Sequence, residues 1–311
     1  MNILTLKELN GSVQSCNKLF IDEAETQYRE RIAAVADALL ARGGDLPIVL
    51  ISGPSGSGKT TAALRLATLL ERAGRVVHTL SMDNYFYPLD DPRNERDEDG
   101  QIDFESPKRL DMELLNDHLL RLWRCEEIDV PTFDFANQKR GFGKKMKRGA
   151  GEFVILEGIH ALNPEITGNI GEHATTVYVS VRTRLENAAG ELLHPSKIRL
   201  TRRLVRDRLF RGRSAAETLD FFRHVERGEE RFILPYKDKA LYDIDTFISY
   251  EAAVYQPLVL PELIKVKETY PDYDRYLDLE RFLAEIVPLE RDAVPLDSLV
   301  REFVGGSHYR Y

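Results

Sequence analysis

Five short apolar runs recur along the chain, and amphipathic stretches separate most of them. Runs of this length predict buried strands, whereas apolar residues spaced by three or four predict helices. Strands that alternate with helices indicate an α/β fold with a mostly parallel five-stranded sheet flanked by helices. The strands are predicted at residues 48–52, 76–81, 153–158, 175–181 and 245–250, and the main helices at residues 62–71, 111–124, 196–213 and 215–233.

Other parts of the chain lie outside this alternation. Residues 1–21 have no clear apolar period, so we expect an irregular arm there. Residues 24–41 place an apolar stripe on one face of a helix, which we expect to pack on the core; a separate partner-binding role is the alternative. Residues 128–135 form a short extended segment, and a flexible stretch is expected at residues 141–151. The stripe consists of Tyr28, Ile32, Val35, Leu39 and Leu40, and C-terminal helices are predicted at residues 258–266, 274–285 and 296–303.

The first apolar run leads directly into a glycine-rich loop of the pattern G-x-x-x-x-G-K-[ST]. In such a loop, glycines let backbone N–H groups converge on a phosphate at the start of a helix. We expect Lys59 to reach the β- and γ-phosphates of ATP and Thr60 to ligate Mg²⁺. The alternative is an ordinary turn between a strand and a helix. The predicted ATP-binding residues of the loop are Gly53, Pro54, Ser55, Gly56, Ser57, Gly58, Lys59, Thr60 and Thr61.

Two acids follow the next buried strands. Asp83 comes just after the second apolar run, and Glu157 closes the third. Because ligands bind beyond the carboxyl ends of parallel strands, both acids are expected beside the phosphate loop. Asp83 is the candidate general base, with a turn-capping role as the alternative. Glu157 is the candidate partner of Thr60 in holding Mg²⁺, directly or through water.

Seven arginines lie between residues 196 and 213, among apolar residues at helical spacing. A row of guanidinium groups can form a lid that clamps phosphates and neutralises charge during phosphoryl transfer. A solvated basic helix and a nucleic-acid contact surface are the alternatives. The lid is favoured because a phosphate loop precedes it and the protein as a whole is acidic. The arginines are Arg199, Arg202, Arg203, Arg206, Arg208, Arg211 and Arg213.

The composition narrows the class of protein. Of 311 residues, 30% are charged and 43% are hydrophobic, and the formal net charge of -8 argues against a general nucleic-acid binder. Cys16 and Cys125 lie far apart and lack the spacing of a metal site, which favours a reducing compartment. No apolar run is long enough to span a membrane. We therefore expect a cytoplasmic protein with a small-molecule partner and no membrane partner; a homo-oligomer is left open.

Six motifs together resemble the uridine kinase and phosphoribulokinase family, in particular its bacterial uridine-kinase-like branch. They are the phosphate loop, Met82-Asp83-Asn84-Tyr85-Phe86, Asp103-Phe104-Glu105, and residues 131–135, 157–164 and 199–213. The resemblance implies that the γ-phosphoryl group of ATP is transferred to a hydroxyl, with the 5'-OH of uridine or cytidine as the expected acceptor. It implies catalytic roles for Asp83, Lys59, Arg203 and Arg206, and ATP binding by the lid residues Arg211 and Arg213.

The acceptor side departs from the family pattern. Phe133 and Gln138 stand where uridine-cytidine kinases present Tyr and His to the pyrimidine, and Phe221 replaces another polar contact to the base. A non-pyrimidine acceptor such as a sugar or polyol is therefore one alternative, and a nucleic-acid-associated or regulatory NTPase is an alternative of another class. The acceptor-binding residues that the resemblance implies are Tyr85, Phe104, Glu105, Phe133, Phe135, Gln138 and Arg203.

Three regions are predicted from these patterns. Residues 1–45 form the N-terminal arm and a helix packed on the core. Residues 46–255 form a P-loop kinase domain whose lid spans about residues 196–213, and residues 256–311 form a C-terminal helical extension.

Overall fold

The computed structural model describes residues 2–42, 45–96, 100–135 and 137–310. Its strands are β1 (Ile3–Thr5), β2 (Ile48–Ser52), β3 (Val77–Ser81), β4 (Glu127–Asp134), β5 (Lys139–Lys147), β6 (Phe153–Glu157), β7 (Ala174–Ser180), β8 (Arg184–Glu186), β9 (Leu192–Leu193) and β10 (Tyr242–Asp245). Its helices are α1 (Leu6–Ala41), α2 (Lys59–Arg72), α3 (Met112–Trp123), α4 (Pro164–Thr167), α5 (Pro195–Phe210), α6 (Ala215–Phe232), α7 (Glu251–Val266), α8 (Leu277–Glu285) and α9 (Arg301–Val304). Within these ranges, no helix combines the length and apolar character needed to cross a membrane.

A five-stranded sheet in which every neighbouring pair runs parallel forms the centre of the fold. The strand order is β10-β7-β2-β6-β3, so the order reverses next to β2, whose carboxyl end opens into the phosphate loop. One apolar layer joins the sheet to α1, α2 and α5 to α9, and a second joins its other face to α3 and α4. The predicted α/β fold is confirmed, and a crevice forms where the strand order reverses.

Two parts of the predicted strand pattern are wrong. The fifth strand spans Tyr242–Asp245 because the Asp245 carboxylate accepts hydrogen bonds from the N–H groups of Arg182 and Phe247 and so ends the strand. Most of the stretch expected to be flexible belongs to β5, which pairs antiparallel with β4. Lysines and glycines give β5 no apolar alternation, and its backbone pairing with β4 fixes it instead.

The N-terminal region is helical rather than irregular. α1 runs for 36 residues and begins with a capping box, in which the Thr5 and Glu8 side chains each accept a hydrogen bond from the other residue's backbone N–H group. The predicted apolar stripe lies against the core, and Leu6, Leu9 and Val13 extend it toward the N-terminus. α1 packs on α2 and β10.

The C-terminal residues cover the start of α2, next to the phosphate loop. The Thr61 hydroxyl donates a hydrogen bond to the Glu302 carboxylate. Leu299 is fully buried, and its Cδ1 atom lies 2.4 Å from the position that a Cβ on Gly58 would take. The extension therefore supports the nucleotide loop directly.

This packing predicts an unequal cost of adding a methyl group at two glycines. Gly58 and Gly74 have similar positive φ angles, 85° and 80°, but only Gly58 has a neighbour within 4 Å of the added carbon. Each alanine carries the left-handed backbone penalty of about 1–2 kcal/mol, and Gly58→Ala adds about 1–3 kcal/mol of overpacking against Leu299. Urea denaturation of both variants checks the difference, and Leu299→Ala should recover part of the loss in Gly58→Ala. Equal losses for the two glycine variants would show that the C-terminal segment does not press on the loop.

Candidate active site

The phosphate loop joins β2 to α2 in a conformation that only glycine adopts readily. Gly56 and Gly58 have φ angles of 75° and 85°, and Gly58 caps the N-terminus of α2. Lys59 is the first residue of that helix, and its Nζ atom donates to the Pro54 carbonyl oxygen at 3.2 Å. The Ser57 hydroxyl is buried without a hydrogen-bond partner among the described residues. The loop is therefore formed in advance, with its helix N-terminus directed at the crevice.

Arginines of α5 hold the backbone of this loop. Arg199 Nη1 donates to the Ser55 carbonyl oxygen at 3.1 Å, and Arg202 Nη1 donates to the Gly56 carbonyl oxygen at 3.0 Å. Arg203 Nη1 donates to the Ser55 hydroxyl. All three arginines are at least nine-tenths buried. This half of α5 is thus a support for the phosphate loop rather than the solvated basic helix that was one alternative.

The other arginines of the predicted lid surround one buried acid, Asp207. Its carboxylate is fully buried and lies 3.7, 3.5, 3.2 and 3.6 Å from guanidinium nitrogens of Arg203, Arg206, Arg211 and Arg213, respectively. One negative charge therefore gathers four positive ones, whose mutual repulsion would otherwise separate them. Burial, helped by the nearby Arg206 charge, lowers the pKa of Arg203 to about 10. Sequence reasoning missed Asp207, because an acid between arginines on a helix is typical of an exposed ion pair.

Asp83 and Glu157 lie at the carboxyl ends of neighbouring strands, Asp83 in the turn just after β3 and Glu157 as the last residue of β6. Ser81 and Glu157 are direct partners in the β3–β6 register, and the Ser81 hydroxyl donates to Glu157 Oε1 at 2.7 Å. Burial raises the pKa of Glu157 to about 7, and the nearby Asp83 charge adds to the shift. Burial also raises the pKa of Asp83, against the effect of the Lys59, Arg109 and Arg211 charges. The two carboxyl groups thus meet beside the loop lysine.

Glu105 contributes a third carboxyl group from the opposite side. Burial raises its pKa to about 7, although the Arg203 and Lys59 charges oppose the shift. Its Oε2 atom is buried without a hydrogen-bond partner among the described residues. A Cβ on Gly228 would lie 2.2 Å from the Glu105 Cβ, so α6 can approach only because residue 228 is glycine. Glu105 is therefore fixed in the crevice with an unused acceptor atom.

Aromatic rings line the crevice beyond Glu105. The ring centroids of Phe104 and Phe221 lie 6.2 Å apart. The guanidinium groups of Arg203 and Arg213 lie 5.1 and 4.8 Å from the Phe221 ring centroid. Phe133 is buried, and its ring meets Phe135 at 5.1 Å and Phe86 at 5.8 Å in edge-on contacts. Phe135 itself is 56% exposed near the end of β4. The lining of the crevice beyond Glu105 is thus made of aromatic rings and positively charged guanidinium groups.

Two predicted acceptor residues have other contacts. Tyr85 is fully buried in the core, where its hydroxyl hydrogen-bonds with His118 Nδ1 at 3.1 Å, so the predicted acceptor contact is replaced by a packing role. Gln138 has a φ of 53° and donates its side-chain amide to the Phe135 carbonyl oxygen at 2.8 Å, which closes the turn between β4 and β5. Thr61 likewise faces Glu302 and not the crevice.

The sequence of this crevice matches a known family of enzymes. A model of the Phosphoribulokinase / Uridine kinase family matches residues 48–248, from β2 to just past β10. The chain belongs to this family. It is therefore a small-molecule kinase with a P-loop.

Relatives of this kinase are similar at moderate identity. The uridine kinase of Borreliella burgdorferi (strain ZS7) is 31% identical over 215 residues, which cover 65% of this chain and 93% of that protein. The uridine kinase of Schizosaccharomyces pombe is 32% identical over 184 residues, which cover 59% of this chain and 37% of that protein. Among solved structures, a possible uridine kinase from Bacillus stearothermophilus aligns with a TM-score of 0.47 and 17% identity, covering 70% of this chain and 100% of that chain.

The Asp207 cluster predicts that the kinase loses stability when this one charge is removed. Asp207→Asn leaves four arginines without their shared counter-ion, and we expect it to cost about 3 kcal/mol of unfolding free energy. Asp243→Asn is the matched control, because Asp243 pairs with Arg182 on the surface and is expected to cost less than about 1 kcal/mol. Urea denaturation at pH 7.5 measures both. A loss in Asp207→Asn no larger than that in the control would contradict the central role of Asp207.

The raised pKa of Glu157 predicts a pH-dependent stability. Between its ordinary value near 4.5 and its folded value of about 7, the folded kinase holds a proton that the unfolded chain releases. The contribution of this group to stability is therefore fully present below pH 4.5 and is lost as the pH rises to about 7, by at most about 3 kcal/mol. Glu157→Gln should flatten the fall between pH 5 and 7.5, as measured by denaturation without nucleotide.

Glu95 supplies the control for this pH effect. Its pKa is lowered by hydrogen bonds from Ser106 and Lys108, so it is ionised in both states above pH 5. Glu95→Gln should leave the slope between pH 5 and 7.5 unchanged. A slope that Glu157→Gln also leaves unchanged would contradict the assignment of the raised pKa to Glu157.

Proposed function

We propose that this kinase transfers the γ-phosphoryl group of ATP, bound with Mg²⁺, to a hydroxyl group of a small molecule. The observation that carries the proposal is the position of Asp83, a partly buried acid at the end of β3 in the field of Lys59 and Arg211. Burial raises its pKa, which suits a general base, while the charges of Lys59, Arg109 and Arg211 oppose the shift.

The phosphate loop and the Asp207 cluster supply the donor side. Backbone N–H groups of the loop cradle the β- and γ-phosphates, and Lys59 reaches them from the first turn of α2. Arg203 and Arg206 stabilise the phosphoryl group during transfer, and Arg211 and Arg213 bind ATP. Thr61 supports the loop through the hydrogen bond from its hydroxyl to Glu302. The loop residues that bind ATP are Gly53, Pro54, Ser55, Gly56, Ser57, Gly58, Lys59 and Thr60.

Thr60 and Glu157 fit a magnesium ion. They supply a hydroxyl and a carboxylate oxygen, the hard ligands that Mg²⁺ prefers, and phosphate oxygens and water would complete the shell. Glu157 is bonded through one oxygen to Ser81, which holds the carboxylate in place. When bound, Mg²⁺ neutralises charge on the β- and γ-phosphates.

Asp83 takes the hydroxyl proton of the acceptor as the acceptor oxygen forms a bond to the γ-phosphorus. The bond between the γ-phosphorus and the β–γ bridging oxygen breaks at the same time, so ADP leaves and the acceptor becomes a phosphomonoester. Glu105 accepts a hydrogen bond from a second acceptor hydroxyl through its unused Oε2 atom, and Phe104 packs on the acceptor beside it.

Two classes of compound are candidates for the acceptor. The names of the relatives support the 5'-OH of uridine or cytidine. The geometry favours a non-pyrimidine acceptor, because Phe133 is packed among rings, the Gln138 amide is used within its own turn, and Phe221 is flanked by two arginines. Two of these positions are apolar rings, and at the third the Gln138 amide nitrogen is already bonded within its turn, which weakens the reading of a pyrimidine edge. We therefore propose a non-pyrimidine hydroxyl compound as the acceptor, with uridine and cytidine as the second candidate.

A screen of ADP formation against nucleosides, pentoses and polyols tests the proposed function. We expect one class of hydroxyl compound to stimulate ADP release. Asp83→Ala should lower kcat with that acceptor by about 10²- to 10⁴-fold, because the hydroxyl proton loses its base. Its Kd for ATP should stay within about threefold, since the loop is untouched.

Asp129→Ala is the matched control, because Asp129 is exposed on β4 and its charge is not among those that act on Asp83. We expect its kcat to equal that of the wild type. Unchanged turnover in Asp83→Ala would overturn the role of Asp83, and turnover of uridine and cytidine alone would overturn the preferred acceptor while leaving the phosphoryl transfer intact.

A further inference from the structure

Arg109 is a buried cation that the proposed reaction does not yet use. It ends the short 3-10 turn Pro107–Arg109, which follows Glu105, and only 3% of it is exposed. Its guanidinium carbon lies 4.9 Å from the ring centroids of both Phe86 and Phe104. Aromatic faces at this distance stabilise a cation, but they leave the N–H groups at the edge of the guanidinium unsatisfied.

The hydrogen-bond partners of Arg109 are too few for a buried guanidinium. Among the described residues, its one side-chain hydrogen bond runs from Nη2 to the Tyr87 carbonyl oxygen at 3.5 Å, which is long, and its buried Nε has no partner. No carboxylate in the described part of the chain lies within 4.0 Å of it. Arg202, which is also buried, makes two bonds to Glu251 and two to backbone carbonyls. A buried charge without such partners is costly, which points to a missing anion.

Arg109 faces the acceptor side of the crevice. Its charge acts on Asp83, the proposed base, together with Lys59 and Arg211. Phe104, which covers one face of its guanidinium, also contacts Phe221. The lid arginines Arg203 and Arg213, which would hold the ATP phosphates, lie against the ring of Phe221 and belong to the Asp207 cluster. Arg109 is therefore separate from the donor cluster.

We propose that Arg109 binds an anionic group of the acceptor, a carboxylate or a phosphate, so that the substrate class is hydroxylated anions rather than neutral nucleosides or polyols. The inference rests on the proposed kinase reaction and narrows its acceptor. The planar guanidinium matches both oxyanions with two parallel hydrogen bonds, and the two rings exclude water from them. The anion itself is unchanged in the reaction, since only the hydroxyl of the acceptor gains a phosphoryl group.

Matched pairs of acceptors that differ in one anionic group test this inference. ADP release is measured for wild-type enzyme with glycerol and glycerate, erythritol and erythronate, ribose and ribose 5-phosphate, and uridine and uridine 3'-phosphate. We expect the anion of at least one pair to have a kcat/KM at least tenfold above that of its neutral partner. Because some pairs contain a carboxylate and others a phosphate, the comparison also shows which of the two anionic groups Arg109 binds.

Variants of Arg109 then locate the effect. Arg109→Met keeps the length of the side chain and removes its charge, and it should raise KM for the anionic acceptor by about 10- to 100-fold while KM for ATP stays within twofold. Arg109→Lys should recover part of the loss. Arg93→Met is the matched control, because Arg93 also lies over a ring, that of Tyr87 at 3.7 Å, but is exposed and paired with Asp91. We expect it to leave both KM values unchanged.

The outcomes separate this inference from the proposed function. Acceptor-dependent ADP release that prefers neutral members of the pairs would overturn the anion site and leave the kinase reaction standing. An equal rise in KM for neutral and anionic acceptors in Arg109→Met would also overturn it, because the charge would then be structural. ADP release that no acceptor stimulates would overturn both. If Arg109→Met fails to fold, the ratio of kcat/KM for the anionic and neutral members of each pair, measured with the wild-type enzyme, still tests the anion site.

Discussion

The phosphate loop depends on one fully buried arginine, Arg202. Its Nε and Nη2 atoms pair with the Glu251 carboxylate at 2.7 and 2.9 Å, and its remaining donors reach the carbonyl oxygens of Gly56 at 3.0 Å and Thr246 at 2.8 Å. The loop, the end of β10 and the start of α7 therefore share one hydrogen-bonded centre. Removing such a charge leaves its partner buried and unpaired, which typically costs about 3–5 kcal/mol. Half of α5 is tied to the loop by this contact, whereas Arg211 and Arg213, just beyond its end, keep partly exposed side chains.

The same crevice holds acids that are poorly placed for stability and well placed for chemistry. Burial raises the pKa of Glu157, Glu105 and Asp83, so the folded chain disfavours their charged forms. Burial also lowers the pKa of Lys59, although the surrounding acids oppose the shift. A bound nucleotide with Mg²⁺ would supply the charges that these groups lack, which is how binding can organise the site. These buried ionisable groups lower the stability of the folded chain but place reactive side chains in the crevice, as is common at active sites.

The sequence predicted those parts of the fold and site in which apolar pattern and motif chemistry coincide. The runs before Gly53, Asp83 and Glu157 are strands of one parallel sheet, of which β3 is a half-exposed edge strand, so three motifs distant in sequence had to meet at its carboxyl edge. The first half of α1 was missed although Thr5 and Glu8 form a capping-box pattern, because polar residues interrupt its apolar stripe. β5 was missed because a hairpin held by backbone hydrogen bonds needs no apolar alternation.

Side-chain roles that depend on burial could not be predicted in the same way. Asp207 and Arg109 each stand beside other charged residues in the sequence, where exposed ion pairs are the usual outcome. Only the fold shows that Asp207 is enclosed by four arginines and that Arg109 is enclosed by two rings. Tyr85 shows the converse, since a motif residue expected in the crevice turns into the core to reach His118.

The central claim is that the crevice directs the γ-phosphoryl group to an alcohol and not to water. ³¹P NMR of the enzyme with ATP, Mg²⁺ and a mixture of hydroxyl compounds measures ADP, inorganic phosphate and new phosphomonoesters in one sample. We expect a phosphomonoester resonance to grow in step with ADP while inorganic phosphate stays near its starting level. Inorganic phosphate that grows in step with ADP, without a new ester, would contradict it.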